Sequence, residues 1–317
     1  MKNRLFQLIV CAAVLVFALL ICGNVAAQEI VMSKEDMMAF TAEWKGERFS
    51  DGRPKVPDSI LERMKLVEIE EAWGTLHEKG YTQQFEGNWK PTHLDPGGVL
   101  VGRALTTRFM PKRPDIDELL TEKGHKDGHI GGRNSWPIDM LVPHDVYVAD
   151  AYGSVIGGPI IGGNLGTAIF SNSKNGVVFD GSIRDLAQLE KIDGFNGFVR
   201  DFHPSYNWNN MMVSINRPTR IGHVTVLPGD VVLAKREGVI FIPPQFAEEV
   251  CKRSELVRLR DLFGFRRIKE GVYTPGQVDQ RWSDTMERDF SKWLNDHLDE
   301  LPVPKEQIQE LLKDRSW

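Results

Sequence analysis

The sequence predicts a mixed α/β fold with helical segments at both ends. In the middle of the chain, short β-rich segments alternate with segments of helical periodicity, as in domains built around a parallel or mixed sheet. The 317 residues are 41% hydrophobic and 26% charged, which is the composition of an ordinary globular protein. This length allows one large domain or two small ones.

The net charge and the cysteine count argue against two classes of protein. A formal charge of −5 argues against a nucleic-acid-binding protein, because such proteins neutralise phosphates with an excess of lysine and arginine. Three cysteines are too few for a disulfide scaffold. Cys251 is the only cysteine outside the N-terminal segment, and we expect it to be packed on a helix.

Residues 1–27 have the pattern of a secretory signal peptide. Lys2 and Arg4 form a positive start, an uncharged apolar run follows over residues 8–22, and Val25-Ala26-Ala27 fits a cleavage site. The apolar run is short for a membrane-spanning helix, which needs about 20 residues. We therefore expect an exported protein, periplasmic or secreted. An uncleaved N-terminal membrane anchor is the alternative.

An N-terminal extension, residues 28–59, leads into the first predicted helices. Ser33 is expected to cap a helix, because acidic residues of a first helical turn follow it. Asp58 is expected to cap a second helix, which ends near Gly80. The apolar positions of this second helix recur at helical spacing: Leu66, Ile69, Trp73 and Leu76.

The predicted α/β domain spans residues 60–265. A polar loop over residues 111–136 is expected to separate its first two strands. Asp180-Gly181 is expected to form a turn after a later strand, and Arg184-Asp185 to begin the next helix. Strands are expected at residues 99–107, 145–150 and 176–179. A helix is expected at residues 167–173.

A β-hairpin and two long helices complete the prediction. The hairpin lies within residues 231–243, after a strand over residues 221–226. Pro244 is expected to open a long helix that Gly264 ends. A C-terminal helical extension over residues 266–317 contains one apolar stripe: Met286, Phe290, Trp293, Leu294 and Leu298.

Residues 162–185 carry the strongest indication of chemistry. A glycine-rich loop enters a helix there, and a helix N-terminus offers free backbone N–H groups and the positive end of its dipole to an anion. Arg184 is able to clamp the same anion, and Asp185 to hold a hard divalent cation. Together these groups would bind a 2-keto acid and stabilise its enolate. The alternative is a glycine-rich turn beside a surface ion pair.

The segment Gly176-Val-Val-Phe-Asp-Gly-Ser-Ile-Arg-Asp185 resembles the signature of the RraA-like family. This family includes the regulator of ribonuclease E activity and the class II 4-hydroxy-4-methyl-2-oxoglutarate aldolases. The resemblance extends to Leu100-Val-Gly-Arg-Ala-Leu-Thr106 and to residues 228–234 and 238–243. Order and spacing agree over about residues 60–260.

The resemblance implies a swivelling β/β/α-type domain that assembles as a homotrimer or a homohexamer. It implies that Arg184 is catalytic and binds the pyruvyl oxygens, and that Asp185 binds Mg²⁺ or Mn²⁺. In aldolase members, amides of the glycine loop hold the pyruvate carboxylate. The corresponding substrate-binding residues in this chain are Gly163, Asn164, Leu165 and Gly166.

Two features of the chain concern residues that active family members use. The family loop commonly has an acidic residue after its glycine, whereas Gly163 and Asn164 occupy the nearest positions here. Active members also borrow a glutamate from the next subunit, for which Glu255 is a candidate equivalent.

The remaining candidate residues are interpreted as structural. His125 and His129 have the spacing of two metal ligands on one helix face, but Gly124 and Gly128 argue against a helix there. The other polar residues assigned to turns or packing are His203, His223, Asp180 and Asp230.

The sequence thus predicts a divalent-metal-dependent lyase of the class II aldolase or decarboxylase type. It would act on a small 2-keto acid, by retro-aldol cleavage of a 4-hydroxy-4-methyl-2-oxoglutarate-type substrate or by decarboxylation of oxaloacetate, through a pyruvate enolate. The alternative is a non-catalytic binding or regulatory protein on the same fold, because a fold does not by itself imply catalysis.

Overall fold

The computed structural model describes residues 29–93 and 98–313. The predicted signal peptide, residues 1–27, lies outside these residues, and so does the end of the predicted C-terminal extension, residues 314–317. Within the described part of the chain, no helix has the length and apolar character needed to cross a membrane.

A mixed sheet forms the centre of the molecule. The strands, in chain order, are β1 (Phe85–Glu86), β2 (Lys90–Pro91), β3 (Leu100–Pro111), β4 (Asp145–Ser154), β5 (Val177–Ile183), β6 (Gly197–Phe202), β7 (Asn210–Ile215), β8 (Thr219–Ile221), β9 (Val224–Val226), β10 (Val231–Lys235) and β11 (Gly238–Ile242). Nine of them pair in the order β1-β11-β10-β3-β4-β5-β6-β2, with β7 added to β3, while β8 and β9 form a separate hairpin.

Helices cover the sheet and extend beyond it. They are α1 (Lys34–Phe40), α2 (Asp58–Met64), α3 (Ile69–Glu78), α4 (Pro114–Lys126), α5 (Gly163–Ser173), α6 (Leu186–Leu189), α7 (Ala247–Lys269), α8 (Pro275–Val278), α9 (Asp284–Asp296) and α10 (Lys305–Lys313). Helices α2, α3 and α7 pack on the side of β10 and β11. Helix α5 contributes to the apolar cluster at the other side.

The parallel part of the sheet, β3-β4-β5-β6, positions the candidate site. Its three pairings are parallel, and α5 crosses from β4 to β5 as a parallel connection requires. Every residue of β5 is buried, because protein covers both faces of this strand. Residues that follow the carboxyl end of β5 are therefore held against a rigid sheet.

The prediction of a polar loop over residues 111–136 is wrong, because these residues contain helix α4. Pro114 begins this helix at a position where proline costs no hydrogen bond. Gly124 has a low helix propensity, but it permits close packing: a Cβ built there would lie 2.0 Å from the Trp136 ring. Tertiary contact with a tryptophan therefore explains a glycine that local propensity disfavours.

Three further element predictions differ from the structure. Asp180-Gly181 is not a turn, since β5 continues to Ile183 and the Asp180 carboxylate binds Arg200 at 2.7 Å. The single helix predicted from Asp58 is two helices, α2 and α3, and Asp58 binds Arg103 instead of capping. The strand predicted over residues 221–226 is the β8-β9 hairpin, which turns between Ile221 and Val224.

The long helix after Pro244 runs farther than predicted. Pro244 opens a short 3₁₀ turn, and α7 then continues through Gly264 to Lys269. Gly264 packs against the side chain of Val278, which a Cβ built at the glycine would approach to 2.7 Å. The division between the core domain and the C-terminal extension at residue 265 stays a prediction, and α7 crosses it without interruption. The predicted apolar stripe of α9 packs into a separate cluster with the end of α7.

Arg53 ties the N-terminal extension to the core. Its side chain is 2% exposed and binds Asp145 at 3.0 Å and Asp51 at 2.8 Å. Arg103 lies 3.8 Å from the second oxygen of Asp145 and donates to the backbone carbonyl of Val56 at 2.7 Å. The extension thus contributes charge to a buried network and is part of the folded unit.

Asp230 closes a turn, as predicted, and is also buried in the fold. Its carboxylate accepts a hydrogen bond from the Leu227 backbone N–H at 2.8 Å. Burial raises the pKa of Asp230 to about 7. The unfolded chain has an ordinary aspartate pKa of about 3.9, so the folded state retains a proton that the unfolded state releases. The stability that protonation contributes is complete below about pH 4 and is lost as the pH rises through the folded pKa.

We therefore expect Asp230→Asn to stabilise the protein more at pH 8 than at pH 5, by about 2–3 kcal/mol. Asparagine keeps an oxygen for the Leu227 N–H, but it carries no charge at either pH. Denaturant unfolding of both proteins at the two pH values measures the difference. An equal effect at both pH values would show that the carboxyl group does not titrate between them.

Candidate active site

The candidate site lies where β5 ends and α5 begins. In sheets of this type, ligands bind outside the carboxyl ends of parallel strands, where loops and helix N-termini converge. Arg184 and Asp185 directly follow β5, and the Arg184 backbone N–H donates to the carbonyl of Ile161 at 3.0 Å. This hydrogen bond holds the end of the strand beside the loop that enters α5.

Glycines allow the loop and the charged pair to approach each other closely. A Cβ built on Gly162 would lie 2.2 Å from the Asp185 Oδ2 and 3.1 Å from the Arg184 Nε. A Cβ on Gly163 would lie 2.0 Å from the side-chain oxygen of Gln188. A side chain at either position would displace these groups, so the two glycines permit their close approach to the loop.

Arg184 and Asp185 form a loose, partly exposed pair. The Arg184 Nε lies 3.8 Å from the Asp185 Oδ2, and the two side chains are 42% and 32% exposed. Asp185 has a left-handed backbone conformation, φ 59°, which a non-glycine residue adopts only when its surroundings require it. Its Oδ2 accepts a hydrogen bond from the Gly163 N–H at 3.2 Å. The carboxylate is therefore held at the N-terminus of α5.

The N-terminus of α5 presents unsatisfied amides toward the same region. The helix begins at Gly163, four residues before the predicted start at 167, so the predicted loop residues form its first turn. Among the described residues, no protein acceptor is recorded for the backbone N–H groups of Asn164 and Leu165. The Gly166 N–H donates to the carbonyl of Gly162 at 2.9 Å, so Gly166 has no free amide to offer an anion.

A cavity of about 540 Å³ opens at this position, a size within the range of small-molecule sites. Four of the predicted site residues line it: Asn164, Leu165, Arg184 and Asp185. The predicted residues Gly163 and Gly166 do not line it. Sequence reasoning missed its other polar lining residues: Asn134, Gln188, Tyr206 and Asn207. No motif marks these residues, and the aromatic segment from Tyr206 to Trp208 was the only available signal.

The donor set of the cavity fits a hard cation better than a soft one. Asp185 is its one carboxylate among the described lining residues, and the remaining candidate side-chain donors are amide oxygens and the Tyr206 hydroxyl. Mg²⁺ is commonly held by one or two carboxylates and keeps several waters, so a single aspartate is compatible with it. The described residues contain no group of three or more histidine, cysteine, aspartate or glutamate side chains arranged around one point.

The other sequence candidates lie in local structural interactions. His129 stacks on Trp136, with ring centroids 4.8 Å apart, and the His125 ring lies 6.0 Å from the same tryptophan. Glu255 makes a two-point ion pair with Arg63, at 2.7 and 2.8 Å. The glutamate is thus already engaged within one subunit.

Two more histidines and the remaining cysteine also have structural surroundings. His203 contacts the Ser205 hydroxyl at 2.8 Å, and His223 contacts Glu86 at 3.2 Å. Cys251 is buried in α7, as expected, and burial raises the pKa of its thiol to about 12. A thiol that stays protonated is a poor nucleophile, which agrees with a packing role.

Comparison with known proteins identifies the family. The RraA-like family model, described as Aldolase/RraA, matches residues 66–241. A Deinococcus radiodurans protein named as a candidate 4-hydroxy-4-methyl-2-oxoglutarate aldolase is 33% identical over 138 residues, which cover 43% of this chain and 73% of the relative. Protein DlpA of Legionella pneumophila is 24% identical over 192 residues, covering 60% of this chain. The match spans only 28% of DlpA.

Solved structures confirm the fold class. Streptomyces coelicolor RraAS2, described as an unusual member of the RNase ES inhibitor RraA protein family, has a TM-score of 0.55 and 25% identity, covering 68% of this chain and 98% of RraAS2. An uncharacterised Pseudomonas syringae protein has a TM-score of 0.59 at 19% identity, covering 74% of this chain and 99% of that protein. Together with the match over residues 66–241, these findings show that the chain belongs to the RraA-like family.

Proposed function

We propose that the protein is a divalent-metal-dependent lyase that acts on a 2-keto acid through a pyruvate enolate. The observation that carries this proposal is the convergence of three groups in one cavity. They are the first-turn amides of α5, the guanidinium of Arg184 and the carboxylate of Asp185. Relatives named as candidate aldolases provide independent support at the level of the family.

The chain's own residues would bind and orient the substrate. The free amides of Asn164 and Leu165 suit a carboxylate, because they lie at the positive end of the helix dipole. Arg184 would contact the 2-keto oxygen, on which negative charge develops when the C–C bond breaks. A guanidinium at that oxygen stabilises the charge more in the transition state than in the ground state, which lowers the barrier. Retro-aldol cleavage and oxaloacetate decarboxylation both produce this charge.

Asp185 would hold the divalent metal, Mg²⁺ or Mn²⁺. When bound, such an ion acts as a Lewis acid that stabilises negative charge on oxygen. The Gly163 N–H keeps the Asp185 carboxylate in place at 3.2 Å. The proposal also includes a homotrimeric or homohexameric assembly and an exported location, which follow from the family resemblance and the N-terminal segment, respectively.

A pyruvate-coupled assay tests the proposed function. The purified protein is incubated with a panel of 2-keto acids, including oxaloacetate and 4-hydroxy-4-methyl-2-oxoglutarate, with Mg²⁺ or with a chelator. We expect pyruvate release that requires the metal. Asp185→Asn should abolish the stimulation by Mg²⁺, because it retains an acceptor for the Gly163 N–H but loses the charge that attracts the cation. Release that is indifferent to chelator and to this substitution would contradict the mechanism.

Gly162→Ala tests the close approach of the loop and the charged pair. The added methyl would lie 2.2 Å from the Asp185 Oδ2, so the pair must shift. We expect a loss of pyruvate release of about 10²-fold, since a displacement of about 1 Å has that effect on positioned groups. The extended backbone of Gly162, φ −136°, accepts alanine, so the thermal midpoint should change little.

Gly74→Ala is the matched control for this substitution. Gly74 lies inside α3, and a Cβ built there meets no atom within 4 Å. This variant should keep full activity and gain about 0.5–1 kcal/mol of stability, because alanine favours helix over glycine. Equal activity of the two variants would show that the space around Gly162 is not needed for the chemistry.

A regulatory binding protein is the second candidate function. The observation that favours it is the neutral pair Gly163 and Asn164 at positions where the family loop commonly has an acidic residue. RraAS2, which shares this fold, is described as belonging to an inhibitor family. Tight binding of a protein partner without metal and without turnover of any 2-keto acid would favour this reading over the lyase.

A further inference from the structure

The cavity has a charged end and a neutral end. Residues 159–162 line one wall, and Gly157 lies just before them in the chain. At one end, the Gly163 N–H donates to Asp185 at 3.2 Å, and a Cβ built on Gly162 would lie 3.1 Å from the Arg184 Nε. At the other end, the carbonyl of Gly157 accepts the backbone N–H of Trp208 at 3.1 Å. The loop that carries Tyr206 and Trp208 is thus fixed at the neutral end.

Two carboxamides and a phenol provide the polar side chains away from the charged pair. Asn134, Tyr206 and Asn207 line the cavity there, whereas Asn164 and Gln188 lie at the charged end, beside Gly163. The Asn134 side chain donates to the carbonyl of Ile160 at 2.7 Å, which leaves its oxygen as an acceptor. Within the described residues, the Asn207 oxygen accepts from the Asn210 N–H at 3.3 Å, and the NH₂ group of the same Asn207 side chain has no protein acceptor. These neutral donors and acceptors match hydroxyl groups, which both donate and accept.

The distribution of charge disfavours a second carboxylate at the neutral end. Arg184 carries the only positive charge among the described residues that line the cavity. A substrate with a distant second carboxylate would place that charge beside neutral groups, with no cation among the described lining residues to pair with it. A substrate with hydroxyl groups at the same place would instead satisfy the amides.

An exposed aromatic pair borders the same end of the cavity. Tyr206 is 64% exposed and meets Trp208 edge to face, with ring centroids 5.0 Å apart. The Gly157 N–H donates to the Ser205 hydroxyl at 2.9 Å, which helps to anchor this loop. A fixed aromatic face beside neutral amides offers apolar contact to the C–H groups of a ligand whose hydroxyls are hydrogen-bonded.

We propose that the substrate is a polyhydroxylated 2-keto monocarboxylic acid, a 2-keto-3-deoxy sugar acid, with its keto acid end at Arg184 and its hydroxyl groups on Asn134, Tyr206 and Asn207. This inference rests on the proposed lyase function. The C3–C4 bond breaks, and its electron pair forms the pyruvate enolate. The C4 hydroxyl loses its proton as C4 becomes the aldehyde carbon, and C3 gains a proton. A six-carbon substrate therefore yields pyruvate and glyceraldehyde, with no oxidant or reductant needed.

Turnover and binding are measured separately to test this. With Mg²⁺, kcat/KM for 2-keto-3-deoxygluconate should exceed that for 4-hydroxy-4-methyl-2-oxoglutarate by at least about tenfold, or about 1.4 kcal/mol. In calorimetry without metal, gluconate should bind more tightly than glutarate by a similar factor. Gluconate has the hydroxyls and one carboxylate, and glutarate has two carboxylates and no hydroxyl.

Two variants test which residues determine the preference for the sugar acid. Asn207→Leu and Tyr206→Ala should lower kcat/KM for the sugar acid more than for oxaloacetate, which has no hydroxyl chain, and should weaken gluconate binding. Arg236→Ala, an exposed position of the β10-β11 turn outside the cavity, should change neither quantity. A change in oligomeric state in either cavity variant, with the substrate preference intact, would overturn the assignment of these residues.

The possible failures are distinguishable. Preferred cleavage of 4-hydroxy-4-methyl-2-oxoglutarate, with glutarate bound as tightly as gluconate, would overturn the sugar-acid inference and support the lyase function. Absence of pyruvate from every 2-keto acid would overturn the lyase function. The calorimetric comparison would then decide by itself whether the cavity prefers hydroxylated monocarboxylates.

Discussion

Arg184→Ala is expected to reduce pyruvate release by about 10²–10³-fold in kcat, the usual effect of removing one group that stabilises a developing oxyanion. The side chain lies at the carboxyl end of β5, beside Asp185 and the N-terminus of α5. Its guanidinium is partly exposed in the cavity, and within residues 29–93 and 98–313 its ion-pair partner is the Asp185 oxygen, 3.8 Å away, which leaves it accessible to a ligand. Truncation should therefore affect chemistry and leave the thermal midpoint nearly unchanged.

Two companion variants make this result specific. Arg184→Lys retains the charge but loses the planar fork, so we expect it to recover only part of the activity. Arg236→Ala removes an exposed arginine outside the cavity and should behave like the wild type. A fully active Arg184→Ala protein would remove Arg184 from the mechanism, and the measurement in all cases is the steady-state rate of pyruvate formation.

Arg53→Ala is expected to cost about 3–5 kcal/mol in the free energy of unfolding, as when one partner of a buried ion pair is removed. Arg53 and Asp145 are 2% and 0% exposed, so truncation leaves the carboxylate buried with a weaker set of partners. Arg103 remains near it, but at 3.8 Å. Denaturant unfolding monitored by circular dichroism measures the loss.

Two further variants test whether the buried pair is the cause. In the Arg53→Ala, Asp145→Asn double variant, the loss should be smaller than the sum of the two single losses, because the buried carboxylate that Arg53 pairs with is removed together with it. Arg113→Ala removes an arginine whose ion pair with Asp115 is exposed, and it should leave stability unchanged within error. A mild effect of Arg53→Ala would show that the N-terminal extension is not held by this network.

The parts of the site that follow one another in the chain could be predicted from the sequence. The glycine loop, Arg184 and Asp185 lie within 24 residues of each other, counted from Gly162 to Asp185. Strand, loop and helix signals are local, so their order already indicated that these groups would meet at one sheet edge. Free amides at a helix N-terminus could also be predicted, but α5 begins at Gly163, earlier than the helix propensities of the residues indicate. Glycines at its start are tolerated there because they avoid contacts with Asp185 and Gln188.

Where local preferences were outweighed by packing, the predictions failed. Glycine disfavours helix, but at Gly124 the Trp136 ring occupies the space that a side chain would fill. Asp180-Gly181 has the composition of a turn, yet Asp180 binds Arg200 across neighbouring strands. In both cases the structure depends on a contact with a residue of another element, Trp136 or Arg200. A pattern of neighbouring residues contains no information about such a contact.

The sequence by itself determined the fold class, the family and the charged end of the site, because all three depend on short-range patterns. Only the tertiary structure showed which residues form the neutral end of the cavity. Asn134 lies before β4 and Tyr206 lies after β6, and the parallel sheet brings both beside the loop that enters α5. The physical reason is that strand pairing fixes which distant loops share one edge of the sheet. The same pairing sets Asp145, the first residue of β4, where a distant arginine in the N-terminal extension can reach it.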